Sequence, residues 1–477
     1  MVRTTLFARP ALALAAALAA VAGAGMVSAP AYAQAKPPEP LKLKLSKPFQ
    51  TLAGPLNKAI EESKKRPDVV AARQVVDTAR TAHDNARGQA AKAKAKPALD
   101  AAIAALGGLL TAEKGQLDMA YAAAASTDDK YVAGQMAIQL GAVGYDNPLQ
   151  RRGLQSMIES GKVTGLDLAR LNFSLGSLAY DARDFALART ALGVAVNGGY
   201  RDNNAAALLA DAYLVDNQVP QGLQLLRKAV GDELTAGRKP PANWYRRGLG
   251  VSYSNKLIDD ATWFSTGLVE QYPTKENWAG AISIVREVAR YPAQETLDLM
   301  RLMHRTGSFL EGRDYVEYIE AADGRRSPGE VLKIVKLGVD AGKLQSNDVF
   351  VAEQQRAAEG RLAADRASLP ALERDARAGA ATATTAMAAA DAYLSYDQAA
   401  KAGELYQIAL GKPGVDTARA LTRLGIAQVD LGQYAEAQAT FGKITGPRKP
   451  MAQLWSLYAR TKAAPAAPAA PAAPAPK

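Results

Sequence analysis

The strongest constraint on this chain is a recurrence. Leu175-Gly176 and Leu209-Ala210 occupy equivalent places 34 residues apart. Twelve residues after Gly176 and Ala210 come Ala188 and Gly222; four further on come Leu192 and Leu226, then Ala195 and Ala229. Residues spaced at i, i+3 and i+4 share one stripe of a helix. The small members let two antiparallel helices approach, and the large ones fill the gap between successive pairs. A unit of this length cannot bury its own apolar face, so units must stack on each other. A third copy is read at Leu249-Gly250 with Tyr253, Ala261 and Thr266, 40 residues on, with the extra length in the Gly/Pro-rich loop 237–241. Two more lie near the C-terminus. Ala389-Ala390 and Tyr393 lead to Ala402, Tyr406 and Ala409, and 35 residues later Leu424-Gly425 leads to Gly432, Tyr434, Ala437, Phe441 and Ile444.

A period of 34 to 35 residues with this pattern resembles the tetratricopeptide repeat. The resemblance covers residues 168–272 and 385–462. It implies an all-α fold, a right-handed superhelical solenoid of antiparallel helix pairs, whose first helices line a concave binding face. On that face it places Arg170, Phe173, Ser177 and Tyr180, then Asn204, Ala207 and Asp211, then Trp244, Arg247, Ser254 and Asn255. Tyr, Trp and Arg are favoured interface anchors. The competing reading packs Phe173, Tyr180 and Trp244 between neighbouring pairs. Two departures stand out: the Trp expected early in each repeat is missing from most copies, and Thr266 occupies an aromatic place. Some members of the family clamp a C-terminal carboxylate with a basic groove. Phe173 and Ala207 stand where that set would have Lys, so this mode is not expected.

Composition agrees with helices. Alanine dominates and aromatics make up 6% of the chain, and alanine is the best helix former. Arg3 and Arg9, the apolar stretch 11–25 and Ala31-Tyr32-Ala33 read as a signal peptide over 1–33, cleaved before Gln34. The location expected from it is the periplasm, or beyond it. A basic, Pro-rich leader follows over 34–48, then a helical region over 49–148. There, 69–87 and 97–121 read as long helices joined by 88–96, a stretch open to reading as a solvated helix face or a hinge. Residues 149–272 carry repeats, 273–384 degenerate helical pairs, and 385–462 the C-terminal repeats. The Ala/Pro tail over 463–477 is expected to be disordered. No later segment has the roughly 20 apolar residues of a membrane span, so no transmembrane anchor is expected.

Chemistry is poorly supplied. There is no cysteine, and the two histidines, His83 and His304, are far apart. Nucleotide-binding fingerprints and a nucleophile elbow are missing. Asp314, Glu317 and Glu320 share a helix side and Asp259-Asp260 form a pair, but helical surfaces carry many such groups. A lytic-transglycosylase-like enzyme would need a Glu-Ser in a catalytic domain. Glu62-Ser63 and Glu159-Ser160 lack the segment that should follow. The expectation is therefore a scaffold or adaptor for a protein or peptide, with no catalytic residue, metal or cofactor. Net charge is +11, and residues 34–100 hold fourteen Lys/Arg against seven Asp/Glu. That excess suits an anionic envelope polymer, making an envelope-associated structural role the alternative. Without aromatics interleaved among the cations, nucleic acid is not expected.

Overall fold

The computed structural model describes residues 42–463. The signal peptide and nearly all of the Ala/Pro tail lie outside them. Among the described residues, twenty-two α-helices and one short 3-10 turn make up the regular structure, with no strand. The all-α class and the build from antiparallel helix pairs stand as expected. The chain divides into two compact units, one ending at Ala236 and one beginning at Gly237.

The first unit holds α1 (Lys47–Ser63), α2 (Pro67–Asn85), α3 (Gln89–Leu109), α4 (Thr111–Ala123), α5 (Thr127–Val143), α6 (Asn147–Glu159), α7 (Gly165–Asp181), α8 (Phe185–Asn197), α9 (Ala205–Val215) and α10 (Val219–Thr235). The end of the leader is not loose. The N–H groups of Lys44 and Ser46 donate to Asp128 (2.7 Å) and Asp129 (2.9 Å) at the start of α5, while Leu43 and Leu45 pack against the core. Asp129 also completes a capping box with Ser126. The stretch 88–96 is helical apart from Gly88, whose φ of 85° makes the turn into α3. The helix anticipated over 97–121 runs differently. It begins before Pro97 and breaks after Gly107-Gly108, where α3 and α4 bend by 67°. Adjacent glycines are weak helix formers, so the break falls where the backbone resists least.

The second unit holds α11 (Ala242–Ser254), α12 (Ile258–Gln271), α13 (Lys275–Ala289), α14 (Ala293–Arg305), α15 (Gly312–Ala322), α16 (Pro328–Asp340), α17 (Val349–Arg377), α18 (Ala383–Ser395), α19 (Ala399–Leu410), α20 (Thr417–Asp430), α21 (Tyr434–Phe441) and α22 (Lys449–Ala463). Successive helices pack on each other, and α22 returns to pack against α12 and α13. This unit therefore closes on itself, with Asp298 of α14 bonded to Arg423 of α20.

The repeat register is visible as packing. A Cβ on Gly176 would sit 2.6 Å from Leu192, sixteen residues on. A Cβ on Gly425 would run into Phe441, at the same offset. The third copy obeys the same rule two residues earlier than its sequence reading. Gly248, not Gly250, faces the large residue sixteen on, Phe264, while nothing lies within 4 Å of a Cβ on Gly250. Gly267 then packs against Tyr245. The true step from Ala210 is thus 38 residues instead of 40. Thr266 is no longer a departure, because Phe264 fills the aromatic place.

Candidate functional site

The most organised polar region is inside the second unit, and it starts from charges placed in an apolar run. Leu297-Asp298-Leu299-Met300-Arg301-Leu302-Met303 of α14 is buried throughout. A buried charge persists only if it is paired and hydrogen-bonded. Asp298, 0% exposed, accepts from Arg301 (3.1 Å), Arg423 (3.1 Å) and Arg448 (3.3 Å). Arg301 turns its fork onto Glu330 of α16 through two bonds of 2.8 Å, and the Tyr318 hydroxyl donates to the same carboxylate. Arg423 continues to Asp391 (2.6 Å), which also holds Arg419 (2.6 Å) and the Tyr406 hydroxyl (2.7 Å). Arg448 reaches Glu295 (2.9 Å), and Arg305 makes a two-bond pair with Asp430.

Five guanidinium groups thus meet five carboxylates, so the network is neutral. Burial pushes the Glu330 carboxyl up, but the charge and hydrogen bonds of Arg301 outweigh it and leave it below its usual range. Burial acts on Asp391 in the same way, and Arg423 and Arg419 overcome it. The Tyr318 hydroxyl is pushed well up by burial and by the neighbouring Glu330. It stays protonated and donates.

Above this network opens a cleft of about 630 Å³. Its walls come from His304 and Arg305 of α14, Lys333 of α16, the segment 397–401 entering α19, and Asp430-Leu431 at the end of α20. Lys333 pairs with Asp397 (2.9 Å). Lys401 pairs with Glu373 (2.7 Å), whose carboxyl is held down at about 2 by the hydrogen bond from Lys401 and then by that from Tyr393. His304 sits half-buried with its ring near Phe309, at 6.1 Å between centroids. Burial, then the charges of Arg305 and Lys333, push its imidazole below the ordinary value. It is therefore neutral at neutral pH. The cleft can offer cationic and anionic groups together to a segment lying in it. Sequence reading missed it. The available signal was Asp298 and Arg301, charges one helical turn apart within an apolar stripe, but nothing in that run names Arg423 or Arg448 as partners.

The residues expected on a concave face divide between the units. In the first, Arg170 is exposed and pairs with Asp167 (2.8 Å). Phe173 is buried and packs on Tyr200 at 4.7 Å between ring centroids. Ser177 is half-buried. Tyr180 donates to Asp211, which is buried, and so links α7 to α9. Ala207 is buried, and Asn204 is exposed at the start of α9 with a left-handed φ of 56°. In the second unit, Trp244 is buried and Arg247 half-buried, while Ser254 and Asn255 are exposed; Asn255 bonds back to the Val251 carbonyl (2.8 Å). Phe173 and Trp244 therefore commit their rings to packing, whereas the side chains of Arg170, Asn204 and Asn255 are exposed to solvent.

Among the described residues, no group of three or more His, Asp or Glu is placed to hold a metal ion. No single described helix is long and apolar enough to cross a membrane.

No family model matches the chain, and no curated protein matches it. Among solved structures, one similar chain is the TPR2AB domain of yeast Sti1 in its pHSP90 complex. It shares 15% identity, with 62% of this chain and 96% of that chain covered, at a TM-score of 0.22. Another is Naa15/Naa10 bound to HypK-THB, at 16% identity, with 85% and 70% covered and a TM-score of 0.32. On its own geometry, with a small residue packed against a large one sixteen positions on in three of its helix pairs, the chain has an all-α repeat fold of antiparallel helix pairs.

Proposed function

We propose that this chain is an exported binding scaffold that holds a protein or peptide partner and carries out no reaction of its own. Export is supported by the basic start, the short apolar stretch and Ala31-Tyr32-Ala33. The observation that carries the binding reading is the cleft of the second unit. Its volume of about 630 Å³ falls in the range of ligand sites. Its walls come from helices far apart in sequence, fixed by a neutral buried network, so it is preorganised. Preorganisation lowers the ordering cost that a bound segment must overcome. Its lining offers paired charges of both signs, which suits a polar peptide segment. Of the residues expected on the repeat faces, Arg170, Ser177, Tyr180, Asn204, Arg247 and Asn255 are the proposed partner-contacting set, while Phe173, Asp211 and Trp244 are buried and support those faces from within.

Site-specific photo-crosslinking from position 401, in the full chain expressed in its envelope, tests the reading. One defined protein should be captured. Capture should fall with Lys333→Ala, or with Tyr180→Ala and Arg247→Ala if the repeat faces contribute. Capture that is unchanged by all three substitutions would overturn both assignments.

A further inference from the structure

The α2–α3 hairpin holds a second feature that the scaffold reading does not use. Its base is well anchored. Val69, Val76, Leu99 and Leu106 are buried there, and Tyr145 is clamped between Arg80 (4.3 Å), Arg73 (5.4 Å) and Asp77, which accepts its hydroxyl at 2.6 Å. Beyond the base the packing thins, with Ala79, His83, Ala86, Lys92 and Ala95 only half-buried. From 77 to 98 not one side chain is buried. Eight of those residues are alanine, the best helix former. A segment with no fully buried side chain leaves most of its side chains facing solvent.

Those side chains are cationic. Between Asp84 and Asp100 there are Arg87, Lys92, Lys94 and Lys96 and no carboxylate. Lys96 pairs with Asp100, while Arg87, Lys92 and Lys94 have no carboxylate partner among the described residues. The spacing of two between the lysines matters. Each helical residue turns by about 100°, so Lys94 projects from roughly the opposite side of α3 to Lys92 and Lys96. A flat surface lying along the helix meets only one of these sides, whereas a flexible chain can wrap to both. Residues 77–98 contain no Phe, Tyr or Trp and no large aliphatic residue. Nucleic-acid bases would lack a stacking platform, and a lipid layer would lack an apolar face to receive.

We infer that the tip of the α2–α3 hairpin, residues 81–98, is a docking site for an acidic polysaccharide, gripped by Arg87, Lys92, Lys94 and Lys96. The choice of polymer rests on the exported location proposed above; the site itself does not.

The test uses the full chain and fluorescently labelled polygalacturonate as the probe, with neutral dextran as the uncharged control. The wild type should bind polygalacturonate and not dextran, with affinity falling as salt rises. The variant Arg87→Gln/Lys92→Gln/Lys94→Gln/Lys96→Gln should keep its helicity, because no buried side chain is touched. It should bind about tenfold or more weakly at low salt, and the slope of log affinity against log salt should drop by about three, as counterion release requires. If that variant loses helicity, the exposed reversal Lys94→Glu alone supplies the same readout. Lys58→Gln/Lys228→Gln, which removes two exposed cations elsewhere in the unit, should leave binding unchanged. Equal affinity and slope in wild type and hairpin variant would overturn the proposal. Preferential capture by phosphatidylglycerol vesicles over the polymer would overturn it in favour of a membrane surface. Crosslinking from position 401 reads the other unit, so failure here leaves the partner reading standing, and the reverse.

Discussion

Asp298 carries three guanidinium groups at once, from Arg301, Arg423 and Arg448. Removing one partner from a buried ionic network leaves the rest uncompensated, which costs far more than the network contributes net. Asp298→Ala should therefore destabilise the second unit by about 3–5 kcal/mol, read as a lower denaturant midpoint. Asp298→Asn, which keeps the shape and an acceptor oxygen, should cost less. His304 gives a test by pH. Its folded pKa lies below the ordinary 6.5, so the unfolded chain binds the proton more readily. Stability should then rise with pH through the window between the folded value and 6.5, and the penalty should be fully present below both. His304→Gln should flatten that part of the stability–pH curve. The carboxylates act at lower pH and in the same direction. Glu330 and Asp391 are held below their usual range, so the stability they provide is present above that range and lost as acid protonates them. The two effects separate because His304→Gln alters only the upper window.

At the scale of elements, two features make opposing substitutions informative. A methyl group at Gly248 runs into the Phe264 ring, whereas one at Gly250 meets open space on the same helix. Gly248→Ala should destabilise by roughly 1–3 kcal/mol, as overpacking does. Gly250→Ala should be neutral or stabilising by up to about 1 kcal/mol, since glycine weakens a helix interior. Thermal unfolding of the pair decides the repeat register directly, and the reverse order would restore the 40-residue step. Asp129 joins the leader to α5 by accepting from Ser46, Ala125 and Ser126. Asp129→Ala should cost about 1–2 kcal/mol through the lost cap, and amide exchange at residues 44–46 should accelerate. The helix pairs themselves were legible in the sequence because their defining contacts are local. A position and its partner sixteen residues on can be aligned by eye. The third copy was misplaced by two residues because Leu249-Gly250 imitates the Leu-Gly signature, and only the facing ring of Phe264 distinguishes the two glycines.

At the scale of the molecule, the second unit depends on its last helix. Trp455 donates to the Asp298 carbonyl (3.0 Å), Tyr458 to that of Arg305 (3.2 Å), and Arg448 enters the ionic network just ahead of α22. A chain ending before Gly446 should lose the protection of α12, α13 and α14 in hydrogen exchange, and the cleft should lose its fixed geometry. Retained protection there would mean that the closure contributes little to the unit.

The sequence by itself determined that this chain is helical, that its helices come in pairs, and that pairs recur 34 residues apart from Gly176 to Ala210 and 35 apart from Ala390 to Gly425, because alanine content and the i, i+3, i+4 stripe act within one or two turns of helix. It also determined the cationic, carboxylate-free run from Arg87 to Lys96, which needs no partner in the fold. Only the tertiary structure decided that the second unit closes and that a cleft opens above its network. The pairs that make this happen, Asp298 with Arg423, Arg448 and Trp455, are 125, 150 and 157 residues apart. A charge within an apolar stripe announces that a partner must exist, but Coulomb attraction is indifferent to sequence position. Which arginine answers Asp298 is settled by how the stacked helices bring their faces together.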